Sequence, residues 1–385
     1  MSLSLNEVVA RLSEGMEQGG KGAFPDPLVV ADGAIRQVPE YIAKRGFGNL
    51  SIAADANTYE AAGRELEAGL RERGVKVLTT IVLPNSQGDV VADEASVVQL
   101  LMDLQRNNSQ AVVAAGAGTL HDIARYAAYT AGLPFISVPT APSVDGFTSK
   151  GAPLLLRGDK ITVPAIGPEA IFADLAILRL APAALAAAGF GDMLGKYTSL
   201  FDWKFGSVTA GEPYRADVAE ITEQALLACV RHAEDIGRGA EEGLRVLTEA
   251  LIASGLAMLA LGHSHPASGA EHHLSHYWEM AYLRSGHRQL LHGAKVGVAC
   301  AEIAAHYHGL WSAGMFAGSP WREAVGRELA RVPGDSVLRG LLRKAGGPST
   351  LEELGVEEEL FKRSLSEAHQ VRLNRWTMLR AVNEG

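Results

Sequence analysis

At 385 residues, with 47% apolar and 21% charged side chains, the chain has ordinary globular composition and is too long for a single ordinary core. A formal net charge of -9 with no basic run argues against a nucleic-acid partner, and no leader pattern or uninterrupted apolar run near the ~18 residues of a span points to a membrane. Its two cysteines, Cys229 and Cys300, lie in apolar segments without metal-type spacing, which predicts buried thiols in a cytoplasmic protein.

An amphipathic opening over residues 5–16 is followed by alternating short apolar runs and helical patterns. Strands are predicted at 27–33, 49–55, 76–84, 110–116 and 134–140. Helices are predicted between them at 34–46, 57–74, 93–107 and 121–132, with Gly74 as a stop. Alternation of this kind implies a parallel sheet with helices on its faces, a Rossmann-like α/β domain. Residues 152–165 predict a hairpin turning at Arg157, Gly158 and Asp159, and 169–182 a last strand passing into a helix.

Parallel sheets bind ligands at the carboxyl ends of their strands. The second strand ends on Asp55, placed either to meet a ribose or to cap the next helix. The fourth ends in Gly116-Ala117-Gly118 ahead of a helix, which is either a tight turn or a place where backbone N–H groups meet a phosphate. The spacing is not the full G-x-G-x-x-G. Residues 138–151, rich in Thr, Ser, Pro and Gly with one acid, Asp145, form either a solvated loop or part of a cofactor and substrate site.

From residue 182 the pattern is helical, with predicted helices at 182–206, 216–239, 241–261, 271–286, 292–309 and 320–332. The expected architecture is an α/β domain, 1–182, and an all-α domain, 183–385, with the active site in a cleft between them. Nine of the twelve histidines fall between His263 and His308. His272 and His276, four apart, share a helix face, and His273 is turned about 100° away. Such a cluster is either a metal site or a set of surface and core histidines. Asp192, near a predicted helix start, is either a cap or the third member of an Asp/His/His set with His272 and His292. Three N/O ligands with open positions suit a catalytic divalent metal, zinc first, with Ni2+ or Fe2+ as alternatives.

Four stretches, GAGTLHD, SVPTAPSVDG, GFGDMLGK, and SGAEHHLSH followed by LLHGAKVG, resemble the iron-containing alcohol dehydrogenase and dehydroquinate synthase-like superfamily. Within it they are most similar to the bacterial sn-glycerol-1-phosphate dehydrogenases, a type shared with archaea. The resemblance implies metal ligation by Asp192, His272 and His292, and substrate contacts from Asp145, Asp192 and His276. It implies a dinucleotide, NAD or NADP, whose phosphates meet Gly118, Thr119, Leu120, His121 and Asp122. Thr140, Ser143 and Ser149 would line the nicotinamide side and Asp55 the adenosine ribose. Ala117 departs from the family, where many members have glycine, and this matters only if φ there is positive.

The resemblance further implies reversible reduction of a phosphorylated triose, dihydroxyacetone phosphate, to sn-glycerol 1-phosphate by a homo-oligomer. The metal would polarise the ketone and His276, or a water, would relay the proton. Lys150, Lys196 and Lys204 are candidates for the substrate phosphate by proximity in sequence alone. Glycerol dehydrogenase or dehydroquinate synthase chemistry is the nearest alternative. A non-catalytic protein that binds nucleotide and metal is the alternative from a different class.

Overall fold

In the computed structural model, which describes residues 4–16 and 23–385, the five predicted strands and the one before residue 182 pair into a single parallel sheet. They are β1 (Leu28–Ala31), β2 (Asn49–Ala54), β3 (Lys76–Ile81), β4 (Val112–Gly116), β5 (Phe135–Pro139) and, after a hairpin of β6 (Gly151–Leu156) and β7 (Asp159–Pro164), β8 (Ala170–Asp174). The sheet order is β1-β8-β5-β4-β2-β3. The hairpin turns on Arg157 (φ 53°) and Gly158 (φ 86°), two consecutive positive-φ residues that match the twist of the paired strands.

The chain divides into two compact units, 4–182 and 183–385. In the first, α1 (Leu5–Glu14), α2 (Val38–Arg45), the short α3 (Ala56–Thr58), α4 (Arg64–Glu72), α5 (Glu94–Asn107), α6 (Gly118–Ala131) and α7 (Leu175–Leu178) accompany the sheet. Successive residues of β4 alternate between the sheet's faces. Val113 and Ala115 join Leu50, Ile52 and Leu66 in one core, and Val112 and Ala114 join Leu100, Leu120 and Ile123 in the other. Both faces are therefore covered, which is why β4 reads as a continuous apolar run. The crossover after β2 runs outward to β3, whereas that after β4 runs the opposite way to β5. The order reverses between β2 and β4, and the carboxyl ends of those two strands flank the resulting crevice.

The second unit is helical: α8 (Ala183–Leu194), α9 (Lys196–Ala210), α10 (Ala216–Arg231), α11 (Ala233–Gly237), α12 (Glu241–Leu261), α13 (Ala270–Arg284), α14 (His292–Ser312) and shorter helices to the end of the chain. The run predicted at 182–206 is broken at Gly195, and that predicted at 216–239 at His232. By length and composition α12 could cross a membrane, but most of it is buried inside the helical unit. Arg245 and Glu249 interrupt its apolar run.

Candidate active site

Asp192 is not a cap. It lies in the last turn of α8, fully buried, because α8 and α14 meet backbone to backbone. A Cβ on Gly191 would fall inside the Gly293 carbonyl, and one on Gly293 inside that of Ala188. Only glycine permits this approach, and it sets Asp192 beside His292, the first residue of α14. His272, from the first turn of α13, completes the group. One donor atom from each of Asp192, His272 and His292 lies within 4.8 Å of the others, with Asp192 and His272 buried and His292 half-buried. Among the described residues this is the one cluster of three such groups that could hold a metal ion.

The surroundings fit that use. His272 Nδ1 donates to Glu271 Oε1 at 2.7 Å, which leaves the Nε2 lone pair facing Asp192 Oδ1, 3.7 Å away. A carboxylate behind an imidazole fixes the tautomer a metal needs and raises the ring's basicity. Burial raises the Glu271 pKa, but hydrogen bonds from His272, Thr198 and the Gly269 N–H outweigh it and hold the group below its usual range. Lys196 Nζ, fully buried, donates to Asp192 Oδ1 at 2.9 Å and to the Ala267 carbonyl. Asp202 accepts from the N–H of Ala270 and so anchors the start of α13; burial, with Glu271 nearby, pushes its pKa up to about 7. His273 is fully buried and faces away from the donor set, and burial next to Arg372 and Arg375 keeps it neutral.

His276 stands one turn along α13, its ring 5.7 Å from that of His292 and 6.3 Å from that of His272. Its Nε2 accepts from an Arg372 N–H at 3.1 Å, and its Nδ1 is 3.8 Å from Glu279 Oε2. Glu279 in turn accepts from Lys295 of α14 at 2.9 Å. Of the lysines expected to meet a phosphate, Lys196 is committed to Asp192 and Lys204 stacks over the Tyr214 ring. Lys150 is exposed and belongs to the other unit.

In the first unit, the β4–α6 turn places Gly116, Ala117 and Gly118 at the crevice. Ala117 has φ -88°, so the departure from glycine costs nothing there. The first-turn N–H groups of α6, at Gly118 and Thr119, are free of intrahelical partners by helix geometry. Leu120 and His121 turn their side chains inward. His121 bonds Ser137 Oγ at 2.7 Å and packs on Phe135 and Phe147, and burial pushes its pKa down to about 3. The His121 N–H is given to the Ala117 carbonyl at 3.2 Å. Asp122 pairs with the buried Arg125 at 3.0 Å, and Arg125 also donates to the carbonyls of Gly146, Phe147 and Gly151. Asp145 is buried, as are Thr140 and Ser143; the Thr140 N–H donates to the Gly116 carbonyl, and Ser149 Oγ reaches the Gly151 carbonyl. Asp55 caps the helix after β2, accepting from the Thr58 N–H at 2.8 Å.

The sequence model of the iron-containing alcohol dehydrogenase family matches residues 29–182. Over 374 residues the chain is 44% identical to glycerol-1-phosphate dehydrogenase (NAD(P)+) of Geobacillus stearothermophilus, covering 93% of this chain and 92% of that one. Over 385 residues it is 43% identical to the enzyme of the same name from Bacillus subtilis (strain 168), covering 99% and 97%. The chain belongs to the glycerol-1-phosphate dehydrogenase family. Among solved structures, glycerol dehydrogenase from Schizosaccharomyces pombe superposes with a TM-score of 0.68 at 19% identity, over 94% of this chain and 86% of that one, which shows a shared fold.

Membership in the glycerol-1-phosphate dehydrogenase family makes the chain an NAD(P)-dependent oxidoreductase with a small-molecule substrate. Reading the sequence missed Glu271, Glu279, Arg125 and Arg372, which touch the expected site residues. Glu271 had a local signal, a carboxylate directly before a candidate ligand at the start of a helix. Arg372 had none, being 96 residues from His276.

Proposed function

We propose that the chain catalyses reversible reduction of dihydroxyacetone phosphate to sn-glycerol 1-phosphate with NADH or NADPH. On this reading residues 1–182 bind the dinucleotide and 183–385 hold metal and substrate. The observation that carries it is the convergence of Asp192, His272 and His292, with Glu271 behind His272, in a chain 44% identical to a named glycerol-1-phosphate dehydrogenase. A divalent ion in this set, zinc first, would polarise the ketone and stabilise charge on its oxygen, while bound nicotinamide would supply the hydride.

The chain's own residues do the positioning. Glu271 holds the Nδ1 proton of His272 and Lys196 holds one Asp192 oxygen, so both ligands are oriented before substrate arrives. His276, fixed between Arg372 and Glu279, is placed to relay the proton the reduced oxygen takes up, and Asp145 would contact the substrate from the loop after β5. The α6 N-terminus binds the pyrophosphate through its free N–H groups. Thr140, Ser143 and Ser149 line the nicotinamide side, and Asp55 at the end of β2 favours NAD by repelling a 2′-phosphate. The reading also carries a homo-oligomer in the cytoplasm; both cysteines are buried free thiols, which suits a reducing compartment.

The test is NAD(P)H oxidation, followed by absorbance, with protein stripped by EDTA and reloaded separately with Zn2+, Ni2+ or Fe2+. Turnover of dihydroxyacetone phosphate should return with at least one metal, far faster than turnover of dihydroxyacetone, and no dehydroquinate should form. Inactivity with every metal overturns the proposal.

A further inference from the structure

Around His276 the charges do not balance. Arg375, almost fully buried, pairs with Glu212 at 3.0 Å and donates to the carbonyls of Ser268 and His265. Lys295 has Glu279 and Lys196 has Asp192. Arg372 differs from all three. Its contacts are the hydroxyls of Ser264 (3.3 Å) and Ser268 (2.8 Å) and the Nε2 of His276 (3.1 Å), and among the described residues no carboxylate reaches it. Glu271, the acid whose charge it feels, is turned toward His272, Thr198 and Gly269. Arg372 is half-buried, and a guanidinium partly drawn out of water is ordinarily matched by a carboxylate or phosphate in a bidentate pair.

The neighbouring histidines add no negative charge. His263 and His265 lie with ring centroids 3.9 Å apart; burial and the charge of Arg375 lower both pKa values, that of His265 to about 2, with Arg372 contributing there as well. The loop of residues 262–269 and the single turn Ala368–Arg372 thus enclose a local excess of positive charge with two hydroxyl donors in reach. This excess sits next to His276 and therefore next to the donor set, with every residue named coming from the same unit.

We propose that Arg372, with the hydroxyls of Ser264 and Ser268, is the seat of the substrate's phosphate and sets the preference for a phosphorylated over a free triose. The inference rests on the function proposed above. In dihydroxyacetone phosphate the phosphorus is a few bonds from the carbonyl carbon, so a ketone at the donor set places its phosphate one residue beyond. The His276 ring lies 5.7 Å from that of His292 and 6.3 Å from that of His272, and Arg372 touches its Nε2 at 3.1 Å. Phosphate oxygens would replace the imidazole as acceptors for the guanidinium, freeing His276 Nε2 to face the reacting oxygen.

The test compares wild type with Arg372→Met and Arg372→Lys, each checked for its melting transition and bound metal. Arg372→Met should raise KM for dihydroxyacetone phosphate by ~100-fold and lower kcat/KM for dihydroxyacetone phosphate far more than for dihydroxyacetone, and Arg372→Lys should recover part of the loss. Inorganic phosphate should compete with dihydroxyacetone phosphate in wild type and in Arg372→Lys but not in Arg372→Met. A KM that stays at the wild-type value overturns the proposal, and so does an equal loss on both ketones, which is how a mere anchor for the C-terminal segment would behave. Should wild type turn over neither ketone, the function proposed above fails, and calorimetric titration with inorganic phosphate judges Arg372 by itself. Binding abolished by Arg372→Met and kept by Arg372→Lys supports the seat; binding indifferent to the residue overturns it.

Discussion

Glu271 holds His272 by one hydrogen bond of 2.7 Å, and its other contacts, the Thr198 hydroxyl and the Gly269 N–H, keep it from turning. Glu271→Gln keeps the shape and removes the charge behind the imidazole. Metal affinity, measured by competition with a coloured chelator, should fall ~10-fold with the fold intact. Unchanged affinity would show that His272 needs no orienting partner. At this scale helix geometry put His272 and His273 about a hundred degrees apart, and the family resemblance favoured His272 as the ligand. Glu271 on one side and the two arginines on the other decide it: one ring has a carboxylate behind it and the other is sealed in the core.

The close crossing of α8 and α14 is the element on which the donor set depends. Asp192 follows Gly191 and His292 precedes Gly293, so the residues that let the backbones touch are the immediate neighbours of two of the three donors. Gly293→Ala should force the helices apart, lowering stability by ~3 kcal/mol in denaturant unfolding and removing bound metal. Loss of metal without loss of stability would mean the crossing matters only locally. The glycines were visible in GFGDMLGK and LLHGAKVG, but a glycine in a helical pattern does not reveal what it touches. The same contact explains why Asp192, which looked like a cap beside a glycine, is an interior residue of the last turn of α8.

For the whole molecule, the proposed dinucleotide turn and the donor set belong to different compact units. Stripping the metal should abolish turnover and leave NADH binding, read by fluorescence, nearly unaffected, because no residue of the β4–α6 turn belongs to the donor set. Restoring metal at about a hundred times its dissociation constant should stabilise the protein by ~2.7 kcal/mol. Loss of NADH binding on stripping would show that the two ligands depend on each other.

The sequence by itself determined the alternation of strand and helix, the change to all-helical structure near residue 182, the hairpin at Arg157 and Gly158, and the residue types able to hold a metal. Each of these is a local property, a matter of periodicity, turn chemistry or donor chemistry within a few residues. Tertiary structure decided what depends on separate segments meeting. It reversed the strand order between β2 and β4, pressed α8 on α14, turned His121 into the core, and brought Arg372 to His276 across 96 residues. Contacts between distant segments follow from how whole elements pack, and the short-range pattern of a sequence carries no record of them.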